Sequence, residues 1–342
     1  MFDVITFGSA TRDIFVRSKE LKTIEANDFP TGKALAVGAG AKVYVDEMTF
    51  ASGGGGTNSA ATFALQGLQT SYVGLVGDDV GGRELIREME RLGVSSYFMK
   101  ISQKAKTSYS IILSGNDERT ILVSEGASHL LTDEDIDWNK IKETKWFYVA
   151  GLSGESSKVF GVIINFAKEH GIKVAVNPGK EQLGKDLDLL KSLLPKIDIL
   201  LLNQEEASLI TGIDYHQEEA LFQKFDELVP GIALMSKGPE GVTVSDGENL
   251  YRAGIPESPY VDRTGAGDSF GSGFVSAIIN GRTIEEAIQL GTANATGNIQ
   301  EIGAKTGLLK KGEWGPWERV KVSVTPLKQV AAASKEAAPA TK

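Results

Sequence analysis

The segment Asp262-Arg263-Thr264-Gly265-Ala266-Gly267-Asp268-Ser269-Phe270 runs directly into the helical stretch GSGFVSAIING. Small residues let the backbone turn tightly, and the first amides of the helix then point outward as free donors with the helix dipole behind them. Such a turn is an anion hole. Asp268, in the first helical turn, could accept a proton from an attacking hydroxyl while the amides hold the charge that grows on a transferred phosphoryl group. A first-turn acid that only complements the helix dipole has the same sequence signature.

A second segment, Gly53-Gly54-Gly55-Gly56-Thr57-Asn58, opens the helical pattern SAATFALQGL. Four consecutive glycines cost chain entropy and suggest close approach of the backbone to a ligand, although a flexible surface loop would use them too. Neither a strand-borne G-x-G-x-x-G with a downstream acid nor a G-K-[ST] element is present, which counts against dinucleotide oxidoreductases and P-loop enzymes. In Asn203-Gln204-Glu205-Glu206, the Asn and Glu stand three apart on a helix and share a face. That pair suits magnesium held by oxygen through water, or a simple helix cap.

These residues sit in a chain of ordinary globular composition. Of 342 residues, 41% are hydrophobic and 24% charged, enough for one large core or a core with a small appendage. Lys and Arg total 36 against 45 Asp and Glu, a net charge of −9, so nucleic acid and acidic membranes are poor partners. No cysteine is present, and the three histidines, His129, His170 and His216, show no ligand spacing. Thiolate chemistry, disulfides and Cys-based zinc sites are thereby excluded, leaving oxygen as the ligand for any metal. The start, MFDVITFGSATRD, lacks a basic region before an apolar core, and runs such as IDILLL are too short to span a bilayer, so a cytoplasmic protein is expected.

Short β-branched runs alternate with helical periods from about residue 70 onward. SYVGLVG (71 to 77) reads as a strand, and GRELIREMERLG (82 to 93) as a helix with Leu85, Ile86, Met89 and Leu92 on one face and Gly93 as its stop. WFYVAGL, IKVAVNP, IDILLLN and IALMSKG continue the alternation as nearly all-apolar strands, as expected when helices cover both faces of a sheet. The pattern predicts a doubly wound α/β domain with a mainly parallel sheet over residues 1–325. Residues 31–52 and 107–124 instead alternate apolar and polar, predicting a small antiparallel lid that would serve equally as a dimer surface. The low-complexity stretch 326–342 reads as a mobile tail.

Taken together, GGGGTNSAA and DRTGAGDSFGSGF resemble the two signature motifs of the ribokinase-like (PfkB) family of carbohydrate kinases, with Arg263 where a Thr is usual. The likeness extends from GSATRDIF to about residue 307. The resemblance implies a ribokinase-like fold, Mg-ATP as donor and a sugar or nucleoside as acceptor. It implies Asp268 as catalytic base, with Gly265, Ala266 and Gly267 supplying the anion hole. Asp13, Gly54, Gly55 and Asn58 match acceptor-binding positions, and Gly55 stands where ribose-specific relatives often carry Lys. Asn203 and Glu206 match an N-x-x-E element that organises magnesium through water. Ser236, Gly238 and Gly241 match the nucleotide loop, and Asn294 with the Ile302-Gly303-Ala304 turn falls where relatives line the adenine pocket. Asp262 matches a monovalent-cation ligand of potassium-activated relatives. A nucleoside kinase of the same family and a non-catalytic sugar sensor are the rival readings. A homodimer through the lid is a further expectation.

Overall fold

The computed structural model describes residues 1–29, 31–115 and 119–327. Its centre is a ten-stranded sheet in the spatial order Ser323–Pro326, Asn249–Ala253, Val242–Ser245, Ile232–Ser236, Ile199–Asn203, Lys173–Asn177, Trp146–Ala150, Val4–Phe7, Thr70–Gly77, Met99–Ser102. Neighbours from Ile232–Ser236 to Met99–Ser102 run parallel, and the three strands at the other edge pair antiparallel.

The apolar runs are buried on both faces. In Trp146–Ala150, Phe147 and Val149 enter one core with Ile5 and Phe7, while Trp146, Tyr148 and Ala150 enter the opposite core with Val4, Phe63 and Phe274. Two-residue alternation thus feeds two cores, and helices must cover each. The predicted helix at 82–93 spans Val80–Arg91, starts earlier on an Asp79 cap, and ends before Gly93 at φ 84°. Only glycine adopts that conformation without strain.

A separate four-stranded sheet has the order Glu47–Gly53, Thr11–Arg17, Ser108–Ser114, Arg119–Ser124. The sequence reading located three of its strands and missed Thr11–Arg17, whose TRDIFVR follows the first core strand too closely to look like a separate sheet. Most of 31–46 lies outside it: Lys33–Ala36 pairs with Lys22–Glu25 as an independent hairpin. The expected tail begins at 326, yet Pro326 closes the sheet edge opposite Asn249 and the Leu327 N–H donates to the Glu248 carbonyl. The rest of that tail, 328–342, lies outside the described residues.

Candidate active site

Two helices begin at one point between the sheets. Gly55–Leu65 starts after Gly54 at φ 96°, and Ala266–Ile279 starts after Gly265 at φ 83°. The glycines are required by packing. A Cβ on Gly53 would lie 2.1 Å from Asp13 Oδ2, one on Gly54 2.4 Å from the Ser9 carbonyl oxygen, and one on Gly56 2.7 Å from the Tyr72 ring. A Cβ on Gly55 would lie 3.0 Å from Ala150 Cβ and 3.5 Å from Asp268 Oδ1. The flexible-loop alternative therefore gives way to a loop whose backbone is packed on all sides.

Across this junction Asn58 Nδ2 donates to Asp268 Oδ2 at 2.8 Å. The other polar atom of Asn58, Oδ1, is buried and has no partner among the described residues. Burial raises the Asp268 carboxyl above its ordinary range, against the pull of the Asn58 hydrogen bond and the Lys305 ammonium. The Ser269 N–H donates to the Gly265 carbonyl at 2.8 Å, and the Ala266 N–H turns back to Arg263 O at 3.2 Å. Among the described residues, the amides of Gly265, Gly267 and Asp268 have no acceptor and are free donors at the helix start. Of the expected hole residues Gly265, Ala266 and Gly267, the amides of Gly265 and Gly267 are free among the described residues, and the Ala266 amide is spent on Arg263.

Asp13 is buried on the lid strand Thr11–Arg17, beside Gly53, and accepts from Thr11 Oγ1 at 3.0 Å. Burial raises its carboxyl as well, with Lys305 the largest opposing charge. Lys305 was absent from the sequence reading. It follows the Ile302-Gly303-Ala304 turn and donates to Ser52 Oγ at 2.9 Å and to Gly53 O at 3.5 Å. Its sequence surroundings carry no periodic signal, and only tertiary packing delivers it to Asp13 and Asp268.

Beside the free amides lies a cavity of about 570 Å³ whose walls include Ser236, Gly238, Gly241, Ala266 and Gly267. Its apolar end carries Ile255, Tyr260, Phe270 and Ile299, with the Arg263 guanidinium 4.4 Å from the Tyr260 ring centre. The sequence reading put Asn294 and Gly303 on this wall, and the structure does not. Asn294 is fully buried: Nδ2 donates to Ser269 O (2.8 Å) and Thr62 Oγ1 (3.3 Å), and Oδ1 accepts the Leu309 N–H at 2.9 Å. It ties two helices and a loop together, while Thr292, Ala295, Thr296 and Ile299 of the same helix face the cavity. A Cβ on Gly303 would lie 3.2 Å from Ala51 Cβ, and its N–H is 3.5 Å from Asp262 Oδ2.

Asn203 and Glu206 form a reciprocal cap. Asn203 Oδ1 accepts the Glu206 N–H at 2.9 Å, and Glu206 Oε2 accepts the Asn203 N–H at 2.8 Å. Burial raises the Glu206 carboxyl. In the sheet Asn203 stands beside Ser236, which lines the cavity, and Glu206 Oε1 is uncommitted among the described residues. Asp262 Oδ1 accepts from Thr264 N (3.1 Å) and Oγ1 (2.8 Å), and the lid residue Arg119 approaches it at 3.4 Å.

Residues 4–311 match the family described as pfkB family carbohydrate kinase. The chain is 28% identical over 317 residues to a ribokinase of Lactococcus lactis, covering 92% of this chain and 96% of that one. It is 27% identical over 279 residues to an adenosine kinase of Saccharomyces cerevisiae, covering 76% and 81%. The fold matches that of an Arabidopsis thaliana ribokinase solved with ribose and ATP, with a TM-score of 0.75, 23% identity, and coverage of 91% and 96%. No helix among the described residues is long and apolar enough to cross a membrane.

Proposed function

The chain belongs to the pfkB family of carbohydrate kinases, and from that premise we propose that it transfers the γ-phosphoryl of ATP to a hydroxyl of a sugar, or of the sugar moiety of a nucleoside, with Asp268 as general base. The observation that carries this reading is the Asn58–Asp268 hydrogen bond. It joins the glycine loop that borders the acceptor side to the helix start whose free amides border the nucleotide cavity. A pure sensor needs neither the carboxylate nor the amides at that junction.

In this scheme the acceptor lies between Asp13 and Asp268, and ATP fills the cavity with its base among Ile255, Tyr260, Phe270 and Ile299. Asp268 takes the hydroxyl proton as the Gly267 and Asp268 amides receive the negative charge of the phosphoryl group in flight. Fixed donors at a dry helix start need no reorganisation at that moment, which is where electrostatic catalysis gains most. The lid sheet, carrying Asp13, shields the acceptor from water. Glu206 fits magnesium held through water, because Oε1 is uncommitted and the described residues hold no cluster of three acidic or His ligands that would bind the ion alone. When bound with ATP, the ion neutralises β- and γ-phosphate charge.

The decisive assay is magnesium-dependent ADP release across pentoses, hexoses, sugar acids, phosphosugars and nucleosides, with a thermal shift by a non-hydrolysable ATP analogue measured alongside. Acceptor-dependent release with a raised melting temperature is expected; analogue binding with silence across the panel would favour a sensor. Arg119 and Thr264 occupy Asp262, so we propose that the guanidinium takes the place of a monovalent cation. Exchanging potassium for sodium in the same assay should alter the rate less than twofold, and strong potassium activation would remove that role from Arg119.

The lid also exposes Met48 and Phe50 on one edge strand and Leu122 and Val123 on the other. An exposed apolar edge of this kind is costly for a lone chain, and we propose that a second copy covers it. Light scattering should return the mass of two chains, falling to one on Phe50→Asp with Val123→Asp. A monomer at micromolar wild-type concentration would reject the dimer.

A further inference from the structure

The acceptor side of the junction is rich in hydrogen-bond acceptors and poor in donors. Asp13 and Asp268 are carboxylates, Asn58 Oδ1 is buried and has no partner among the described residues, and one of the two Asn58 Nδ2 N–H donors is spent on Asp268. A sugar hydroxyl brings one proton and two lone pairs. Those groups can receive its protons, and beyond the second Asn58 N–H they cannot donate to its oxygens.

Lys305 can. It is only 9% exposed, yet no carboxylate lies within 4 Å of its ammonium among the described residues. Two of its three N–H donors reach neutral acceptors, Ser52 Oγ at 2.9 Å and Gly53 O at 3.5 Å, and the third has no acceptor among the described residues. Gly53 is the residue packed against the Asp13 carboxylate, so the ammonium is fixed on that side of the junction. Burying an unpaired cation is expensive and is not needed to hold the Gly303 turn, where a neutral side chain would serve.

We propose that Lys305 is a specificity-determining residue that donates its free N–H to an oxygen of the acceptor's vicinal diol while Asp13 and Asn58 Oδ1 accept the diol's protons. This rests on the kinase reading above. The groups whose charge reaches Lys305 are Glu88 from the helix Val80–Arg91, Asp13 and Arg12 from the lid strand, and Asp268 from the anion-hole helix. Three negative against two positive charges give a site suited to an uncharged polyol face, not to a phosphosugar. Burial lowers the ammonium to about 8. The donor is therefore lost as pH rises through about 8, and acceptor recognition should fade over the same range.

The test compares wild type, Lys305→Met and Lys305→Arg on D-ribose, D-fructose and adenosine. Lys305→Met should raise the KM for the reactive acceptor about 10- to 100-fold, the worth of one charge-assisted hydrogen bond, with the KM for ATP altered less than twofold. Lys305→Arg should recover part of the loss. The wild-type profile of kcat/KM for the acceptor should fall above pH 8, and the arginine variant, charged throughout, should not. An unchanged acceptor KM in a folded Lys305→Met would overturn the inference while leaving the kinase reading intact. A matched rise in both KM values in both variants would do the same, marking Lys305 as structural. A wild type with no acceptor-dependent ADP release would overturn the kinase reading itself, and this inference with it.

Discussion

Asp268→Asn is expected to lower kcat by about 10²- to 10⁴-fold, the usual contribution of a positioned general base, without lowering the melting temperature at pH 7. The carboxyl is raised above 3.8 by burial, which means that the folded chain binds its proton more tightly than the unfolded chain does. Stability from this group therefore declines as pH rises from 3.8 through the raised folded value, and at neutral pH its charge is a net cost. Asn removes that cost, and its amide oxygen can still accept from Asn58 Nδ2, so the junction keeps its shape. Stability and activity thus move apart, which separates a lost base from a lost fold. In the wild type the acid limb of kcat/KM, which reports the free enzyme, should lie above pH 3.8 for the same reason. Calorimetry and ADP release on the same samples decide the matter: a folded Asp268→Asn within tenfold of wild type would place the base elsewhere.

How much of this was legible in the sequence follows from the range over which each signal acts. The parallel sheet was readable because strands such as ILLLN and WFYVA are buried on both faces and carry their apolar signature locally. Both helix starts were readable because small residues before a helical period mark a tight turn whatever surrounds it. Asn294 was misplaced because its helix is buried on several sides; the residue that faces the cavity depends on rotation against the neighbouring helix, set by Phe270 and Gly273 packing on Gly291. Thr11–Arg17 was missed because its register partners are Glu47–Gly53 and Ser108–Ser114, far along the chain, and pairing at that distance leaves little local trace. Lys305 is the extreme case. A lysine in GAKTG looks like any surface charge until the fold buries it against Ser52 and Gly53.

Gly265→Ala should have the second largest effect, reducing kcat about 10²- to 10³-fold, comparable to removing an oxyanion-hole donor. The residue sits at φ 83°, and an added Cβ would lie 2.5 Å from Ala304 Cβ and 2.7 Å from Ala304 Cα. Neither contact is with a flexible side chain, so either the turn into the Asp268 helix or the Gly303–Lys305 segment must move. The first shift swings the Gly267 and Asp268 amides away from the phosphoryl path, and the second displaces Lys305 from Ser52. Conformational strain and lost geometry are separable through Gly247→Ala, which imposes the same penalty at φ 84° where a Cβ meets nothing within 4 Å, in a turn remote from the site. Both variants should melt lower than wild type, and only Gly265→Ala should lose activity. If Gly265→Ala instead keeps kcat within threefold while Gly247→Ala behaves as expected, the free amides at the helix start are not what stabilises the transferring phosphoryl group, and catalysis must draw its electrostatics from magnesium and the cations that border the cavity.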